Sequence, residues 1–369
     1  MAERSNSLTR IALRKFLRNF WGVVSLSFLG VCVLVAIFAY ALAPDNSRNA
    51  NEMHLSLQSR SPGFQVRMLT IPGDEIEQSP VSVFFLGRKT TSTEIPISLV
   101  KITDSGIQVT EYTGDESKGL TKNLPLERFP LARSPEQISR YYIEDRTFHL
   151  GTDKYGRDLL SRMLIGIRIS LSIGFVAVFI SLLIGITLGA VAGYYGGRVD
   201  NAIMWLINVT WSIPTLLLVI AITLALGKGF WQVFIAVGLT MWVEVARVVR
   251  GQVMSVKQMQ YVTAAKALGY TNWRIITRHV LPNSLAPVII ISAANFASAI
   301  LIESGLSFLG IGAQPPMPSW GGIIKDHYAY IILGKPYLAI IPGLAIMSLV
   351  MAFMLMGNAL RDALDVRSS

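Results

Sequence analysis

The feature that most constrains this chain is a series of long segments without any Asp, Glu, Lys or Arg. Residues 169–197 form a run of 29 residues that contains none of these four residue types, and residues 201–227 form a second such run of 27 residues. A helix of about 20 apolar residues crosses the hydrocarbon core of a bilayer, whereas the surface of a soluble domain carries charged side chains throughout. Runs of this length therefore predict that the chain folds within a membrane.

Six spans are predicted from the charge-free segments. They comprise residues 21–43, 169–197, 201–227, 229–243, 284–302 and 336–360. The fourth has only 15 residues and extends to Ala246 if Glu244 is accommodated. Pro214, Pro287 and Pro342 lie within or near the ends of spans, where neighbouring helices can satisfy the carbonyl groups that a proline leaves free.

The composition and the distribution of charge agree with a membrane protein. Only 15% of the residues are charged, against roughly 25% in soluble domains. The net charge of +10 does not indicate a nucleic-acid partner, because residues 44–150 hold 14 of the 23 acids but only 12 of the 33 bases. The basic excess therefore lies beside the predicted spans. Cys32 is the single cysteine, which excludes a disulfide within one chain.

Basic residues that flank the spans predict the orientation of the chain. Four of them precede the first span, namely Arg10, Arg14, Lys15 and Arg18, and four lie in the acid-free segment 255–283, namely Lys257, Lys266, Arg274 and Arg278. Because lysine and arginine are enriched on the cytoplasmic side, we expect both termini in the cytoplasm. The first apolar run of 23 residues is longer than the roughly 7–15 residues of a signal-peptide core, so it is expected to remain as a helix.

Residues 44–148 differ from the rest because they are polar, mixed in charge and interrupted by Pro and Gly. Segments rich in β-branched and aromatic residues predict three strands, which are Val81–Leu86, Ile95–Ile102 and Ile107–Tyr112. Asp104-Ser105-Gly106 predicts a turn between the last two. Ser134-Pro135-Glu136-Gln137 resembles a capping box and predicts a helix to about Arg146. We expect a small, β-rich extracytoplasmic domain.

The segment between the fourth and fifth spans predicts two short helices joined by a turn. Alanine-rich residues up to Leu268 favour a helix, and Gly269 suits the position just after its end. Thr271 or Asn272 can cap a second helix, which Pro282 would terminate or kink.

This segment resembles the EAA loop of ABC-importer permeases, and residues 255–283 are called the EAA loop below. Five residues match the family pattern at the right spacing, namely Ala264, Ala265, Gly269, Leu281 and Pro282. Thr263 stands where the family usually has Glu, and His279 stands at an aliphatic position where His is common in peptide-type members. The resemblance implies that these seven residues dock into a groove of an ATPase subunit. An ordinary cytoplasmic loop is the alternative.

Two further motifs resemble the C-type permeases of dipeptide, oligopeptide and nickel importers. One begins with His149-Leu150-Gly151-Thr152-Asp153 and continues through Gly156-Arg157-Asp158, and the other begins with Glu303-Ser304-Gly305. The resemblance covers about residues 150–365 and the first span, and it leaves 44–148 unmatched. Members often carry a charge pair at the positions of Trp205 and Asn208, where we expect neutral packing instead.

The resemblance implies an all-α membrane bundle of six transmembrane helices, similar to type I ABC-importer permeases, with the β-rich insertion between helices 1 and 2. The expected divisions are a cytoplasmic tail at 1–19, the first helix at 20–43, the insertion at 44–148 and the permease core with the EAA loop at 149–369. The expected location is the bacterial inner membrane, with residues 44–168 outside the cytoplasm.

The implied function is that of a permease subunit of an ATP-driven importer of peptides or related solutes, nickel included. The implied partners are a B-type permease, two ABC ATPase subunits and an extracytoplasmic substrate-binding protein. No catalytic, cofactor-binding or metal-binding residue is predicted, because the sequence has no nucleotide-binding Gly-Lys-Ser/Thr loop and its four histidines are scattered. ATP and Mg are expected on the ATPase subunits.

Three groups of charged residues can have either a structural or a functional role. Glu303, near the outer end of the fifth span, is a candidate for the translocation path or outer gate, because ionisable residues at membrane depth are usually functional. A local structural pairing of Glu303 is the alternative. Glu244 and Arg247 are expected to pair along one helical face. Arg157 and its neighbouring acids are expected to fix the turn before the second span.

Other classes of function are weighed against this interpretation. A secondary transporter or channel without an ATPase would show inverted repeats or paired broken helices, and the sequence gives no convincing sign of them. A membrane-anchored sensor would leave five further spans unexplained. A DNA-binding role for the EAA loop is disfavoured because only short tethers separate it from the membrane.

Overall fold

The computed structural model describes residues 8–364 except 75, 90, 115–118 and 228, with side chains from Arg10 onwards. The first seven residues of the expected tail and the last five of the expected core lie outside the described residues. The chain divides into two compact units. One comprises the described parts of Met1–Val33, Ile169–Gln314 and Gly343–Ser369, and the other those of Leu34–Arg168 and Pro315–Pro342.

Helices account for most of the described residues. In chain order they are α1 (Leu8–Arg18), α2 (Phe20–Ile37), α3 (Ala39–Leu42), α4 (Pro80–Leu86), α5 (Pro135–Tyr142), α6 (Leu159–Tyr195), α7 (Gly197–Trp211), α8 (Thr215–Leu226), α9 (Phe230–Val256), α10 (Gln260–Ala267), α11 (Asn272–Ile275), α12 (Leu285–Phe308), α13 (Trp320–His327) and α14 (Tyr337–Leu364). Turns of 3₁₀-helix lie at Leu55–Leu57, Leu126–Arg128, Pro282–Ser284 and Tyr328–Ile331, and Ile276–Val280 is a π-helix. The strands are β1 (Phe64–Ile71), β2 (Thr93–Thr103), β3 (Gly106–Glu111), β4 (Thr121–Pro125) and β5 (Ile143–Phe148).

Five helical segments among the described residues are long and apolar enough to cross a membrane. They are α2, α6, α9, the segment Pro282–Phe308 that ends with α12, and α14. Helices α7 and α8 pass the same test only together, and they meet at a bend of 91°. These segments agree with the spans predicted at five of the six positions, and the third position holds the bent pair.

The bend between α7 and α8 has a local cause. Helix α7 ends where the amide of Ser212 donates to the carbonyl of Asn208 at 3.0 Å. Pro214 then precedes α8 with extended backbone angles (φ −53°, ψ 125°). Proline has no amide hydrogen to donate and disfavours helical geometry in the residue before it. The segment 201–227 is therefore broken into two helices.

Helix α6 lies directly against α9 along a row of glycines. Gly185, Gly189 and Gly193 recur every four residues, and a Cβ atom built on Gly189 would lie 2.5 Å from the carbonyl oxygen of Ala246. A Cβ on Gly185 would lie equally close, 2.5 Å, to the Cβ of Val245. Small residues allow such close approach between membrane helices, where dispersion contacts stabilise packing in place of hydrophobic burial.

We expect Gly189→Ala to destabilise the protein, because the added methyl group overlaps the Ala246 carbonyl and forces α6 and α9 apart. Overpacking of this kind costs about 1–3 kcal/mol. The measurement is the thermal unfolding midpoint of the purified protein in a mild detergent.

Gly251→Ala on α9 is the matched control. A Cβ on Gly251 meets nothing within 4 Å, so this change is expected to stabilise the helix by about 0.5–1 kcal/mol through reduced backbone entropy of the unfolded chain. Equal unfolding midpoints for the two variants would contradict the close contact between α6 and α9.

The insertion contains an antiparallel sheet with the strand order β4-β3-β2-β1-β5. Its buried face contributes Leu69, Ile97, Ile107 and Val109 to a core that α5 covers through Ile138. Strands β2 and β3 confirm the prediction of strands at 95–102 and 107–112, joined by a turn at Asp104 and Ser105.

Two predictions for the insertion are wrong. The segment Val81–Leu86 is part of helix α4, not a strand, because Pro80 occupies the first turn with its dihedral angle already helical and Gly87 ends the helix at φ +80°. The helix that begins after Ser134 ends at Tyr142 and not near Arg146. Residues 143–148 instead form β5, which pairs with β1 from Phe64 to Leu69. Long-range strand pairing outweighs the local helical signal.

Candidate functional site

The turn in the EAA loop follows the geometry of a Schellman motif. Helix α10 ends at Ala267, and the amide of Gly269 donates to the carbonyl of Lys266 at 2.9 Å. The amide of Tyr270 donates to the carbonyl of Ala265 at 3.2 Å. Gly269 has a φ of +77°, in the left-handed region where other residues are strained. This confirms the prediction that Gly269 stops the first helix.

The second half of the loop is one continuous but irregular helix. Thr271 occupies the capping position of α11 without a side-chain hydrogen bond, and the side chain of Asn272 instead accepts from the hydroxyl of Tyr194 at 2.9 Å. The π-helix then closes with the amide of Leu281 donating to the carbonyl of Ile276 at 2.8 Å. Pro282 begins one turn of 3₁₀-helix that leads directly into α12 at Leu285.

The inner face of the EAA loop is packed on the membrane helices. Val262, Ala265, Ile275 and Val280 are buried in one cluster with residues of α9 and with Ala190 and Tyr194 of α6. Lys257 donates to the carbonyl of Tyr194, and Lys257 and Lys266 both lie 5.5 Å from the centroid of the Tyr194 ring. The loop is therefore held firmly against the ends of α6 and α9.

The outer face of the loop combines large apolar side chains with positive charge. Leu268 and Trp273 have 72% and 75% of their surface exposed, and Lys266, Arg274 and Arg278 are exposed beside them. Apolar groups rimmed by polar residues mark surfaces that bind another protein. Sequence reasoning missed Leu268 and Trp273, although two large apolar residues that flank a glycine turn are a signal available in the sequence.

The seven predicted loop residues are divided between these two faces. Thr263, Ala264, Gly269 and Pro282 are exposed, whereas Ala265 is buried in the inner cluster. His279 and Leu281 are partly buried. The ring of His279 stacks on Tyr270 with a centroid separation of 6.0 Å and an interplanar angle of 18°, which supports the second helix of the loop from the side.

Arg250 of α9 lies one turn before the loop and is fixed by α7. Its guanidinium forms two hydrogen bonds with the carboxylate of Asp200, at 2.5 and 2.6 Å. Trp205 and Asn208, where neutral packing is expected from the sequence, are instead exposed on α7. The ion pair that joins the two helices therefore lies nearer the beginning of α7.

Glu303 is fully buried in α12. Its Oε1 accepts a hydrogen bond from the hydroxyl of Ser307 at 2.6 Å, and that hydroxyl oxygen accepts from the amide of Ala313 at 3.2 Å. The amide of Gly312 donates to the carbonyl of Leu306 at 3.0 Å. Glu303 thus contributes to a compact turn at the end of α12.

A cleft of about 300 Å³ lies where α7 and α8 bend. Its lining includes Trp211, Thr215, Met241, Glu244 and Leu301. Glu244 is exposed although it lies in the middle of α9, a helix long and apolar enough to span. Non-helical backbone at membrane depth is tolerated where it lines a cavity, and an ionisable residue there indicates function.

The predicted pair between Glu244 and Arg247 is wrong. The guanidinium carbon of Arg247 lies 3.6 Å from the centroid of the Trp211 ring, so the charge is stabilised by the face of an aromatic ring. The carboxylate of Glu244 is left facing the cleft. Trp211 is the last residue of α7, and α7 packs on α9 through Ile207, so the ring lies within reach of Arg247.

The turn before α6 confirms the structural role expected for its charged residues. The two carboxylate oxygens of Asp153 accept from the amide of Arg157 at 3.0 Å and from its Nε at 2.6 Å. Asp158 Oδ2 accepts from the amide of Ser161 at 2.8 Å and caps the first turn of α6. Gly156, at φ +74°, leaves room for the carbonyl of His54, which would lie 1.8 Å from a Cβ atom.

A buried charged cluster in the insertion has no counterpart in the sequence prediction. Arg146 donates two hydrogen bonds to the carboxylate of Glu94, and His54 Nε2 lies 3.7 Å from Glu94 Oε2. Ligand atoms of Glu52, His54 and Glu94 lie within 4.8 Å of one another, a spacing suited to a cation. Arg146 already supplies the positive charge, so the cluster is an internally paired network.

Burial raises the pKa of Glu52 to about 8, and the adjacent carboxylate of Glu94 adds to this effect. For Glu94, burial alone would raise the pKa, but the hydrogen bonds and charge of Arg146 hold it below the usual value. Burial also lowers the pKa of His54. At neutral pH the network therefore contains a protonated Glu52 beside an ionised Glu94.

We expect the insertion to lose stability as the pH rises from about 6.5 to 8, because below this range the lowered pKa of His54 acts in the opposite direction. In the unfolded chain Glu52 releases its proton near its ordinary pKa of 4.5, whereas the folded protein retains it up to about 8. The folded state then binds more protons across this interval, so a rise in pH favours unfolding. Pulse proteolysis in urea, on the full chain in detergent, measures the effect.

Glu52→Gln should remove most of this pH dependence, because the amide cannot ionise. Glu127→Gln, an exposed position in the turn Leu126–Arg128, is the control and should retain it. A Glu52→Gln protein with the pH dependence of the unmodified chain would contradict the assignment.

Comparisons with known proteins match two parts of this chain to families of transport proteins. Residues 185–368 match the family model of the binding-protein-dependent transport system inner membrane component. Residues 7–59 match the N-terminal transmembrane domain of oligopeptide transport permease C. A glutathione transport system permease protein, GsiD of Pectobacterium atrosepticum, is 42% identical over 216 residues, which cover 58% of this chain and 71% of GsiD.

The chain belongs to the family of binding-protein-dependent transport system inner membrane components. A dipeptide transport system permease protein, DppC of Alkalihalophilus pseudofirmus, is 43% identical over 58% of this chain and 70% of its own length. The inward-facing MetNI methionine ABC transporter matches 55% of this chain and 96% of its own chain, with a TM-score of 0.45 and 18% identity. The resemblance to C-type permeases of ABC importers is thus confirmed by the family and its relatives.

As a member of this family, the chain is a multi-pass inner-membrane permease subunit of an ABC transport system that works with other subunits. It is a transport component. The comparisons favour this function over a secondary transporter without an ATPase.

Proposed function

We propose that this permease imports peptides or closely related solutes and that ATP hydrolysis on separate subunits drives it. The relatives named for dipeptide and glutathione transport support the cargo class. The exposed apolar side chains of Leu268 and Trp273 carry the proposal for coupling, since such side chains are suited to bind another protein.

The proposed topology has six spans, with α7 and α8 counted as one broken span. Both termini and the EAA loop lie in the cytoplasm, and residues 44–168 lie outside it. The positive charge of the EAA loop supports this orientation. The bacterial inner membrane is the proposed location.

The proposed assembly contains four further subunits. A B-type permease completes the pore, two ABC ATPases each bind an EAA loop, and a substrate-binding protein delivers cargo from outside. ATP and Mg bind to the ATPases. This chain itself performs no bond chemistry and needs no cofactor.

The packing of the loop supports a lever mechanism. The cluster that includes Val262 and Ile275 fixes the loop to α9, so a displacement of the loop by the ATPase is transmitted to α9. Glu244 lies twelve residues before the end of α9 at Val256 and faces the cleft at the broken span. ATP-driven motion of the loop would therefore reshape this cleft and alternate its access.

Copurification tests the docking surface. The tagged protein, extracted in mild detergent, is expected to recover a second permease and ABC ATPases, and Trp273→Ala should weaken ATPase recovery by a factor of ten or more. A buried aromatic anchor of an interface contributes about 2 kcal/mol or more.

Leu131→Ala, which removes a side chain of similar exposure in the insertion (71%), is the control and should leave recovery unchanged. Recovery of the unmodified protein without an ATPase in several mild detergents would count against the whole proposal. Equal recovery with Trp273→Ala and Leu131→Ala would count only against this surface.

We also propose that Glu244 lines the translocation path and contacts positively charged groups of the cargo, such as a peptide amine. Glu303, the candidate predicted from the sequence, is proposed to support the outer gate through its turn with Ser307. The exposure of Glu244 to the cleft and the burial of Glu303 support this division of roles.

Glu244→Gln should reduce uptake of peptides with a free amino terminus by roughly tenfold, the effect of about 1.4 kcal/mol, while uptake of N-acetylated peptides changes little. Uptake into proteoliposomes that contain the complete transporter is the measurement. An equal loss for both peptide classes, with ATPase activity retained, would show that Glu244 does not contact the amine.

A further inference from the structure

Helix α4 is an apolar helix whose residues are not buried in a hydrophobic core. Its sequence, Pro-Val-Ser-Val-Phe-Phe-Leu, contains one polar side chain, and none of its seven residues is buried. Val81, Phe85 and Leu86 have 65%, 52% and 58% of their surface exposed. Apolar side chains grouped in this way mark a surface that binds a partner or a membrane.

Hydrogen bonds of the residues on either side of α4 hold this helix in a fixed position. Gln78 closes its base, since the side-chain amide donates to the carbonyl of Lys89 at 2.7 Å and its oxygen accepts from the amide of Lys89 at 2.9 Å. Beyond the helix, the amide of Arg88 donates to the carbonyl of Asn46 at 2.8 Å, and the amide of Arg48 donates to the carbonyl of Arg88 at 3.1 Å. The apolar helix is thus a preformed projection.

The place of attachment identifies the partner. The ring of Phe84 packs on Phe38 with a centroid separation of 5.5 Å and an interplanar angle of 84°. Phe38 directly follows α2, a helix long and apolar enough to span, and precedes α3. Ile37, Phe38 and Leu42 are themselves exposed and apolar, so α4 continues the apolar surface of the end of the first span.

Basic residues lie at one end of this surface. Arg48, Arg88 and Lys89 are exposed near the C-terminal end of α4, whereas Asp74 and Glu77 are exposed before its N-terminal end, and no acidic residue lies within the helix. Lysine and arginine next to a membrane-embedded apolar surface bind lipid phosphates while their aliphatic stems remain in the apolar layer.

We propose that α4 is an interfacial helix that inserts Val81, Phe85 and Leu86 into the leaflet where the first span ends. It anchors the sheet of the insertion close to the membrane surface, with the basic residues at the phosphate level. The occupant of this apolar face is lipid. This proposal does not depend on the cargo or on the ATPase partner.

Spin labels on the full chain in lipid nanodiscs test the proposal. The native Cys32 is replaced by Ala, and single labels are placed through Val81→Cys and Phe85→Cys in phosphatidylethanolamine with phosphatidylglycerol. Power saturation compares collisions with oxygen, which concentrates in the bilayer, and with a water-soluble nickel chelate. We expect oxygen collisions to exceed nickel collisions several-fold at both positions.

Leu131→Cys is the matched control, because Leu131 is as exposed and apolar but lies outside α4. Its label should collide freely with the nickel chelate. Labels at positions 81 and 85 that match position 131 would overturn the proposal. Labels that are shielded from both reagents only in the complete transporter would also overturn it, because the face would then bind a protein subunit.

Discussion

Three glycines in one row of α6 place its backbone against α9. The arrangement of the compact unit that contains Ile169–Gln314, called the membrane unit here, depends on this contact. A Cβ on Gly193 would lie 2.7 Å from the carbonyl oxygen of Arg250, so the close approach continues almost to the end of α9. Because lipid is as apolar as the helices, such shape complementarity stabilises membrane packing. The EAA loop extends from α9 and packs back on Tyr194 of α6, so the same pair of helices supports the coupling surface.

The two compact units are stabilised by different interactions. The membrane unit relies on close helix packing with few charges, such as the pair of Arg250 with Asp200. The other unit contains dense polar networks around Asp153 and around Glu94. Buried charges are costly unless they are paired and hydrogen-bonded. The hydrogen bonds of Asp153 and Asp158 also define the turn that begins α6, so the segment Gly151–Asp158 has a structural role.

Much of the membrane part was predictable from the sequence, because apolar length and glycine geometry are local properties. The spans agree with charge-free runs, and Gly269 stops α10 through its left-handed backbone. Predictions failed where residues distant in the chain decide the outcome. Strand β5 forms because β1 is available to pair with it, and Arg247 lies against Trp211 because α7 packs on α9. Neither partner can be recognised from local propensity.

The sequence by itself determined that this protein spans a membrane and carries a helix–turn–helix loop of the ABC-permease type, because hydrophobic length and turn chemistry act within a few residues. Only the tertiary structure decided which side chains meet. It brought Arg146 to Glu94 across 52 positions, left Leu268 and Trp273 of the loop exposed and left Glu244 facing a cleft. These outcomes depend on the relative placement of whole helices and strands, which packing and pairing over long distances establish.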